Sequence, residues 1–139
     1  MVSTSKWMAT FVAPVFEAIM NSASKLFGSP MSAIFRFDGR LAHLVAHGNW
    51  PEEAVEDARA FYPGIPNPDM LTGRVIASRR VVSIADTLAD PHYPKATARA
   101  GRWRRMLAAP MLKDGEPVGV ITVAWPEPGE TPQRQSDLP

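Results

Sequence analysis

"RRMLAAPMLKDGEPVGVITVAW" (residues 104–125) is the stretch of sequence that decides the fold. Two runs with the composition of β-strands flank the dipeptide Asp114-Gly115, a strong short-range signal of a β-hairpin. A second Asp-Gly pair, Asp38-Gly39, separates two more strand-like runs within residues 31–48. The sequence therefore predicts two antiparallel hairpins, which together supply most of a sheet.

Helical patterns precede and separate these hairpins. Within residues 7–27 the apolar side chains recur at intervals of three and four, as in an amphipathic helix. Pro14 suits a first helical turn, and Gly28 closes the pattern. Shorter elements are predicted as helices over 51–63, 71–80 and 95–103, the last ended by Gly101, and as a strand over 81–85. This order predicts an α+β fold of three layers, with a central antiparallel sheet of five or six strands and helices on both faces.

Composition narrows the class of protein. The chain has 139 residues, 45% of them hydrophobic and 21% charged, which is typical of one soluble globular domain. Its net charge of +1 gives no electrostatic reason to expect nucleic acid or a membrane surface as partner. No apolar stretch reaches the roughly 18 residues of a membrane span. We expect a cytoplasmic protein, because the absence of cysteine agrees with a reducing compartment.

The segment "VVSIADTLADPHYP" (81–94) is the first candidate site. A β-branched strand runs directly into two carboxylates, Asp86 and Asp90, followed by His92 and Tyr93. These side chains could line a pocket, or the aspartates could be ordinary turn-forming residues. A hydrolase using Ser83, His92 and Asp86 is disfavoured, because Ser83 lies within a strand and no Gly-x-Ser-x-Gly motif is present.

Two further clusters have open interpretations. "ARAGRWRRM" (98–106) surrounds Trp103 with four arginines, which suits either a basic rim for an anionic ligand or a solvated helix-to-strand corner. In a regular strand His43 and His47 share a face with Val45 but lie about 13 Å apart, too far to ligate one metal ion without a bulge. We therefore predict no metal site.

Three segments together resemble the GAF sensory domain. In "LTGRVIASRRVVSIADTLADPHYP" (71–94) a helix with Gly73-Arg74-Val75 precedes a strand that ends at Asp86. Residues 14–39 are similar to the opening helix and strand of GAF modules in bacterial two-component sensor histidine kinases. The closing hairpin matches the family pattern at Leu107, Pro110, Gly115, Gly119, Val120 and Ile121.

This resemblance implies a non-catalytic module, related in fold to profilin-like and PAS domains, over residues 1–126. It implies a small-molecule pocket between sheet and loops, homodimerisation through terminal helices, and a downstream output domain such as a kinase. On this basis the polar tail 127–139 is expected to begin a C-terminal helix that would continue in a longer protein. The expected ligand-binding residues are Phe35, Tyr62, Leu71, Ile84, Asp86, His92, Tyr93, Trp103, Met106, Ala108 and Thr122.

The chain departs from parts of the family pattern. Phe27 occupies a position that is often cysteine in related kinase modules, and the Asn-Lys…Phe…Asp-Glu motif of cyclic-nucleotide members is absent. Without cysteine the chain has neither thioether bilin attachment nor cysteine-dependent methionine sulfoxide reductase chemistry. The cofactor is unknown, and haem held by one histidine is a minor alternative. The other alternative is an interaction module with a collapsed pocket, dimerising through Trp7, Phe11 and Val15.

Overall fold

The computed structural model describes residues 31–130 continuously and, before them, the separate positions Pro14, Glu17, Ala18, Asn21, Ser22, Lys25, Leu26 and Gly28. All of these separate positions except Gly28 are helical, in agreement with the predicted N-terminal helix, and Gly28 has a positive φ of 62°. The proposed dimer face at Trp7, Phe11 and Val15 lies outside the described residues. The predicted C-terminal helix falls within 131–139, which also lies outside them, and stays a prediction.

Five strands form one antiparallel sheet. They are β1 (Met31–Phe37), β2 (Ala42–Gly48), β3 (Val82–Ile84), β4 (Arg105–Lys113) and β5 (Glu116–Trp125). Their order across the sheet is β2-β1-β5-β4-β3, so β5 is the central strand, β1 and β4 flank it, and β2 and β3 lie at the edges. Both predicted hairpins and the antiparallel sheet are confirmed.

The two Asp-Gly turns form for different physical reasons. Asp114 and Gly115 both have positive φ, 53° and 80°, which a two-residue hairpin turn of the favoured hand requires. The loop at Asp38-Gly39 is longer than this two-residue turn. It is stabilised by the Asp38 carboxylate, which accepts hydrogen bonds from the backbone N–H groups of Arg40 (2.9 Å) and Leu41 (2.6 Å). Such side-chain capping makes Asp an effective turn residue.

Three described helices pack on one side of this sheet. They are α1 (Glu52–Ala58), α2 (Leu71–Ser78) and α3 (Lys95–Gly101). Helix α1 packs against α3, and α2 packs against β3, β4 and β5. We call this side of the sheet the helix face; its buried strand residues are Met31, Ala33, Phe35, Ile84, Met106, Ala108, Val120 and Ala124.

The opposite side of the sheet is shielded as well. Ile34 is fully buried there, and Leu107, Val123 and Trp125 are 4–7% exposed. The sheet is therefore the middle layer of the fold, as predicted. All three helices within residues 31–130 nevertheless lie on the helix face.

Gly101 is the last residue of α3, as predicted, and the left-handed residue that follows the helix is not a glycine. Arg102 takes that conformation, with φ 57°. A Cβ atom at Gly101 would lie 2.3 Å from the Trp103 ring. Glycine is needed here because the indole packs directly on the helix end.

A β-bulge in β2 changes which way its side chains point. Residue Ile34 of β1 pairs with Ala46, but the next residue, Phe35, pairs with Leu44, leaving Val45 as an extra residue. His43 pairs with Arg36 and His47 with Ala33, and these two β1 positions face opposite sides of the sheet. The prediction that His43, Val45 and His47 share one face is therefore wrong.

Candidate functional site

The helices and the sheet border a small cavity, which we call the inner cavity. Its volume is about 30 Å³, and a water molecule needs about 10–15 Å³ of such space. Its walls come from β1, β4, β5, all three helices and the connecting loops. The lining residues are Phe35, Trp50, Ala54, Asp57, Ala58, Tyr62, Met70, Leu71, Thr72, Tyr93, Thr97, Trp103, Met106 and Thr122.

Aromatic rings form much of this wall in two tilted pairs. The ring centroids of Phe35 and Tyr62 lie 4.9 Å apart at 47°, and those of Trp50 and Trp103 lie 5.2 Å apart at 54°. Such tilted arrangements are the preferred contacts of aromatic rings. The Trp103 indole N–H also donates a hydrogen bond to the Tyr93 hydroxyl, at 3.0 Å. The cavity is thus lined by aromatic rings that contact one another.

Few polar groups reach the cavity, and one of them carries charge. Thr72, Thr97 and Thr122 are buried and contribute hydroxyls. Asp57 is half-buried and contributes the single carboxylate of the lining. Burial raises the pKa of Tyr62 and of Tyr93, and the negative charge of Asp57 raises both further, so both phenols stay neutral at physiological pH.

An open groove of about 570 Å³ runs beside this cavity, between edge strand β2 and helix α1. We call it the outer groove; it is lined by His43, Leu44, Val45, Ala46, His47, Val55, Ala58, Arg59, Tyr62 and Pro63. Ala58 and Tyr62 line both spaces. The Tyr62 hydroxyl lies 3.5 Å from Thr72 Oγ1, a long contact that holds the ring weakly. Tyr62 therefore separates the cavity from the groove.

The sequence-predicted site residues divide into three groups. Those at the inner cavity are Phe35, Tyr62, Leu71, Tyr93, Trp103, Met106 and Thr122. Ile84 and Ala108 lie in the core of the helix face without lining the cavity. Asp86 and His92 lie outside it, and His92 is exposed. Whether the lining residues bind a ligand stays a prediction.

The loop 85–94 owes its shape to its two aspartates. The Asp86 carboxylate forms two hydrogen bonds of 2.7 Å with Arg104, and Asp90 forms a similar pair with Arg74 at 2.8 and 2.9 Å. Asp90 also accepts the backbone N–H groups of His92 and Tyr93. These partners hold the pKa of both carboxyls below the usual range. Both aspartates act as turn formers, and Asp90 positions Tyr93 toward the cavity.

The arginines around Trp103 point away from the cavity. Arg102 pairs with Glu53 at 3.4 Å, and Arg104 pairs with Asp86. The Arg105 guanidinium lies 4.0 Å from the centroid of the Trp125 ring. None of them lines the inner cavity, so the structure gives no basic rim there.

The histidines are separated by the bulge. His43 is 2.9 Å from the Asp38 carboxylate, and this contact is the main reason that the pKa of Asp38 is lowered. His47 stacks on Trp50 at 5.3 Å, and burial lowers the pKa of its imidazole. Within the part of the chain that the structure describes, no three acidic or histidine side chains converge as a metal site would require.

Several lining residues were missed by sequence reasoning. Ala54, Asp57 and Ala58 lie at helical spacing on one face of α1, and this periodicity could have marked them. Trp50 follows strand β2, and its position depends on the β-bulge at Val45. Met70, Thr72 and Thr97 carry no local signal.

Comparison with known proteins agrees with this architecture. A family model described as the GAF domain matches residues 9–138. Because the match spans most of the sequence, the chain belongs to the GAF domain family. No curated protein matches the sequence.

Among residues 31–130 and the separate N-terminal positions, no helix is long and apolar enough to cross a membrane.

Three solved structures illustrate the likeness in fold. A GAF domain/HD domain protein from Geobacter sulfurreducens has a TM-score of 0.74 at 18% identity, covering 95% of this chain and 86% of its own. A domain of a putative two-component sensor histidine kinase from Sinorhizobium meliloti has a TM-score of 0.68 at 13% identity, covering 94% and 80%. The type II free methionine-R-sulfoxide reductase from Thermoplasma acidophilum has a TM-score of 0.69 at 14% identity, covering 89% and 81%. At these identities the likeness establishes the shared fold alone.

Proposed function

We propose that this GAF domain is a sensory module that binds a small molecule in the inner cavity and relays its presence to an output domain. The observation that carries this proposal is the position of Tyr62, which lines both the small aromatic cavity and the larger groove beside it. Ligand sites in proteins are concave and mainly apolar, with few polar groups. The lining of the inner cavity has this composition.

Entry of a ligand requires the cavity to enlarge. About 30 Å³ accommodates roughly two water molecules, so a larger molecule must displace Tyr62 toward the outer groove. A ligand can shift a conformational equilibrium only by its difference in affinity for the two states. Displacement of Tyr62 provides such a difference, because the ligand then binds the enlarged state alone.

The central strands offer a route from the cavity to both ends of the domain. Phe35 lies in β1, which follows the N-terminal helix and begins at Met31. Thr122 lies in β5, which ends at Trp125, just before the C-terminal tail. A change at the cavity would therefore reach both terminal segments through two adjacent strands. The expected output is a dimeric kinase in the cytoplasm, an expectation supported by the fold likeness to the Sinorhizobium domain.

We expect no catalytic activity in this chain. The structure does not support a nucleophile–base pair among Ser83, Asp86 and His92. The Asp86 carboxylate is already paired with Arg104, and His92 is exposed. The reductase from Thermoplasma shares the fold, but this sequence has no cysteine for thiol chemistry.

Native mass spectrometry of freshly purified protein tests the sensory proposal. We expect a bound mass that is lost on denaturation, and a visible spectrum recorded in parallel identifies haem by its Soret band. If no mass is retained and a panel of small metabolites produces no thermal shift, the sensory proposal is wrong.

A second candidate, an interaction module without a ligand, is favoured by the small volume of the inner cavity. On this alternative the rings around Trp103 are ordinary core, and the terminal segments form a dimer. Sedimentation of the full chain distinguishes the two, because the interaction module predicts a stable dimer that no ligand alters.

A further inference from the structure

We propose that the inner cavity is selective for a small organic cation, a protonated amine or a quaternary ammonium group. This inference rests on the proposed sensory function and specifies the charge of the ligand. Three observations support it. They are the charges of the residues that line the cavity, the unpaired carboxylate of Asp57, and the aromatic rings of the wall.

The lining of the inner cavity contains an acid and no base. Among the described residues that line it, Asp57 supplies the one carboxylate, and no lysine, arginine or histidine belongs to this set. Tyr62 and Tyr93 are neutral, because burial raises the pKa of each phenol. The net charge of the lining is therefore negative, which disfavours an anionic ligand.

Asp57 is available to a ligand. Within residues 31–130 its carboxylate has no hydrogen-bond or ion-pair partner, although basic side chains are near in sequence and space. Arg59 is engaged by Glu56 at 2.5 Å, and Arg102 by Glu53 at 3.4 Å. The charge of Asp57 nevertheless reaches the cavity, since it raises the pKa of both phenols there. A ligand without positive charge would shield the Asp57 carboxylate from water and leave it unpaired. Burying an unpaired charge is costly, so such a ligand is disfavoured.

The aromatic wall favours the same class of ligand. The face of an aromatic ring is electronegative, and tryptophan attracts a cation most strongly. The rings of Trp50 and Trp103, tilted by 54°, and those of Phe35 and Tyr62, tilted by 47°, all line the inner cavity. Aromatic faces together with a carboxylate are the usual surroundings of a bound ammonium group. Because the cavity has a volume of only about 30 Å³, even a methylammonium or trimethylammonium head requires Tyr62 to move aside.

Choline and 3,3-dimethylbutan-1-ol form a matched pair of probes for this inference. They have the same shape, but the alcohol carries carbon in place of the charged nitrogen. We would titrate the full chain with each probe and with methylammonium, following tryptophan fluorescence and binding heat. We expect a cation to bind, and the alcohol to bind at least about tenfold more weakly than choline.

Variants of two acidic residues in α1 locate the effect. Asp57→Asn should weaken binding of the cation at least about tenfold, because it removes the charge and retains the shape. Glu52→Gln removes an exposed charge at the other end of the same helix and should change the affinity by less than about twofold. Circular dichroism of both variants confirms that they are folded.

The outcomes separate this inference from the sensory proposal. Equal affinity for choline and the alcohol, or unchanged binding by Asp57→Asn, overturns the cation inference and leaves a small-molecule site. Absence of binding by choline and methylammonium up to about 20 mM also overturns it. The sensory proposal fails separately, if native mass spectrometry and the metabolite panel find no ligand of any charge.

Discussion

The indole N–H of Trp103 and the hydroxyl of Tyr93 form a hydrogen bond of 3.0 Å inside the core. Tyr93 is 3% exposed and Trp103 is 4% exposed, so water cannot replace either partner. Each ring buries its apolar body and satisfies its polar tip through the other. This bond joins the loop 85–94 to the start of β4.

Replacing Tyr93 with phenylalanine should destabilise the protein by about 1–3 kcal/mol, because the indole N–H then stays buried without a partner. Urea unfolding measures the change. Tyr62→Phe is the matched control, since the 3.5 Å contact of Tyr62 with Thr72 contributes little, and it should cost less than about 0.5 kcal/mol. Equal losses in the two variants would contradict this account of the Tyr93 bond.

Gly101→Ala should destabilise the fold by about 1–3 kcal/mol, because the added Cβ would lie 2.3 Å from the Trp103 ring. The preference of helices for alanine offsets less than about 1 kcal/mol of this loss. Tryptophan emission should also shift as the indole moves. The exposed Arg99→Ala in the same helix should stay within about 0.5 kcal/mol of the parent. A Gly101→Ala protein as stable as the parent would show that the ring yields freely.

The ion pair between Asp90 and Arg74 should be worth far more than a pair on the surface. Both side chains are about four-fifths buried, with exposures of 18% and 21%, and Asp90 also caps two backbone N–H groups. We expect Asp90→Ala to cost about 2–4 kcal/mol in urea unfolding. Glu116→Ala breaks the exposed pair with Arg79 and should cost less than about 1 kcal/mol. The reverse order of these costs would show that the loop does not depend on Asp90.

Stability should fall in acid because of the same carboxylates. Arg74 and Arg104 hold the pKa of Asp90 and of Asp86 below the value in the unfolded chain, about 3.9. As pH falls below about 5 the unfolded chain takes up protons first, so stability is complete above that pH and is lost toward the folded-state pKa. Unfolding free energies measured from neutral pH down to about pH 3 should show this decline, with a shallower slope in Asp90→Ala. A flat profile would mean that these pKa values are not lowered.

Tyr62→Ala should join the inner cavity to the outer groove. Removing the ring should cost about 3–5 kcal/mol if the site does not collapse, and it should expose Trp50 and Trp103 to solvent. Acrylamide quenching of tryptophan fluorescence should therefore increase in this variant. Phe61→Ala, whose ring lies beside Tyr62 but outside both spaces, should leave quenching unchanged. Unchanged quenching in Tyr62→Ala would show that another group closes the cavity.

Much of the fold could be predicted because its signals are local. Asp114-Gly115 and Asp38-Gly39 each set a hairpin through their own backbone preferences and side-chain contacts. The N-terminal helix was predicted from apolar spacing, α1 from Pro51 followed by two acidic residues, and the end of α3 from Gly101. The bulge at Val45 has no such signal, because it results from how β2 accommodates β1 and the loop that follows.

The site was predictable only in part, for a related reason. Phe35, Met106 and Thr122 reach the cavity because strand alternation puts them on the helix face. Asp86 was expected at the cavity, but its carboxylate is turned toward Arg104, a residue 18 positions away. Trp50 and Asp57 reach the cavity from a loop and a short helix, whose placement depends on tertiary packing.

The extra residue Val45 also affects how this sequence can be compared with others. Residues after it in β2 are shifted by one position relative to those before it. An alignment with a relative that has a regular strand needs a one-residue gap here, or it would equate side chains that point to opposite sides. Loss of this single codon during evolution would remove the bulge and leave the other pairs between β1 and β2 as they are. His47 would still pair with Ala33 and His43 with Arg36, so a relative without the bulge keeps both histidines on the sides of the sheet that they occupy here.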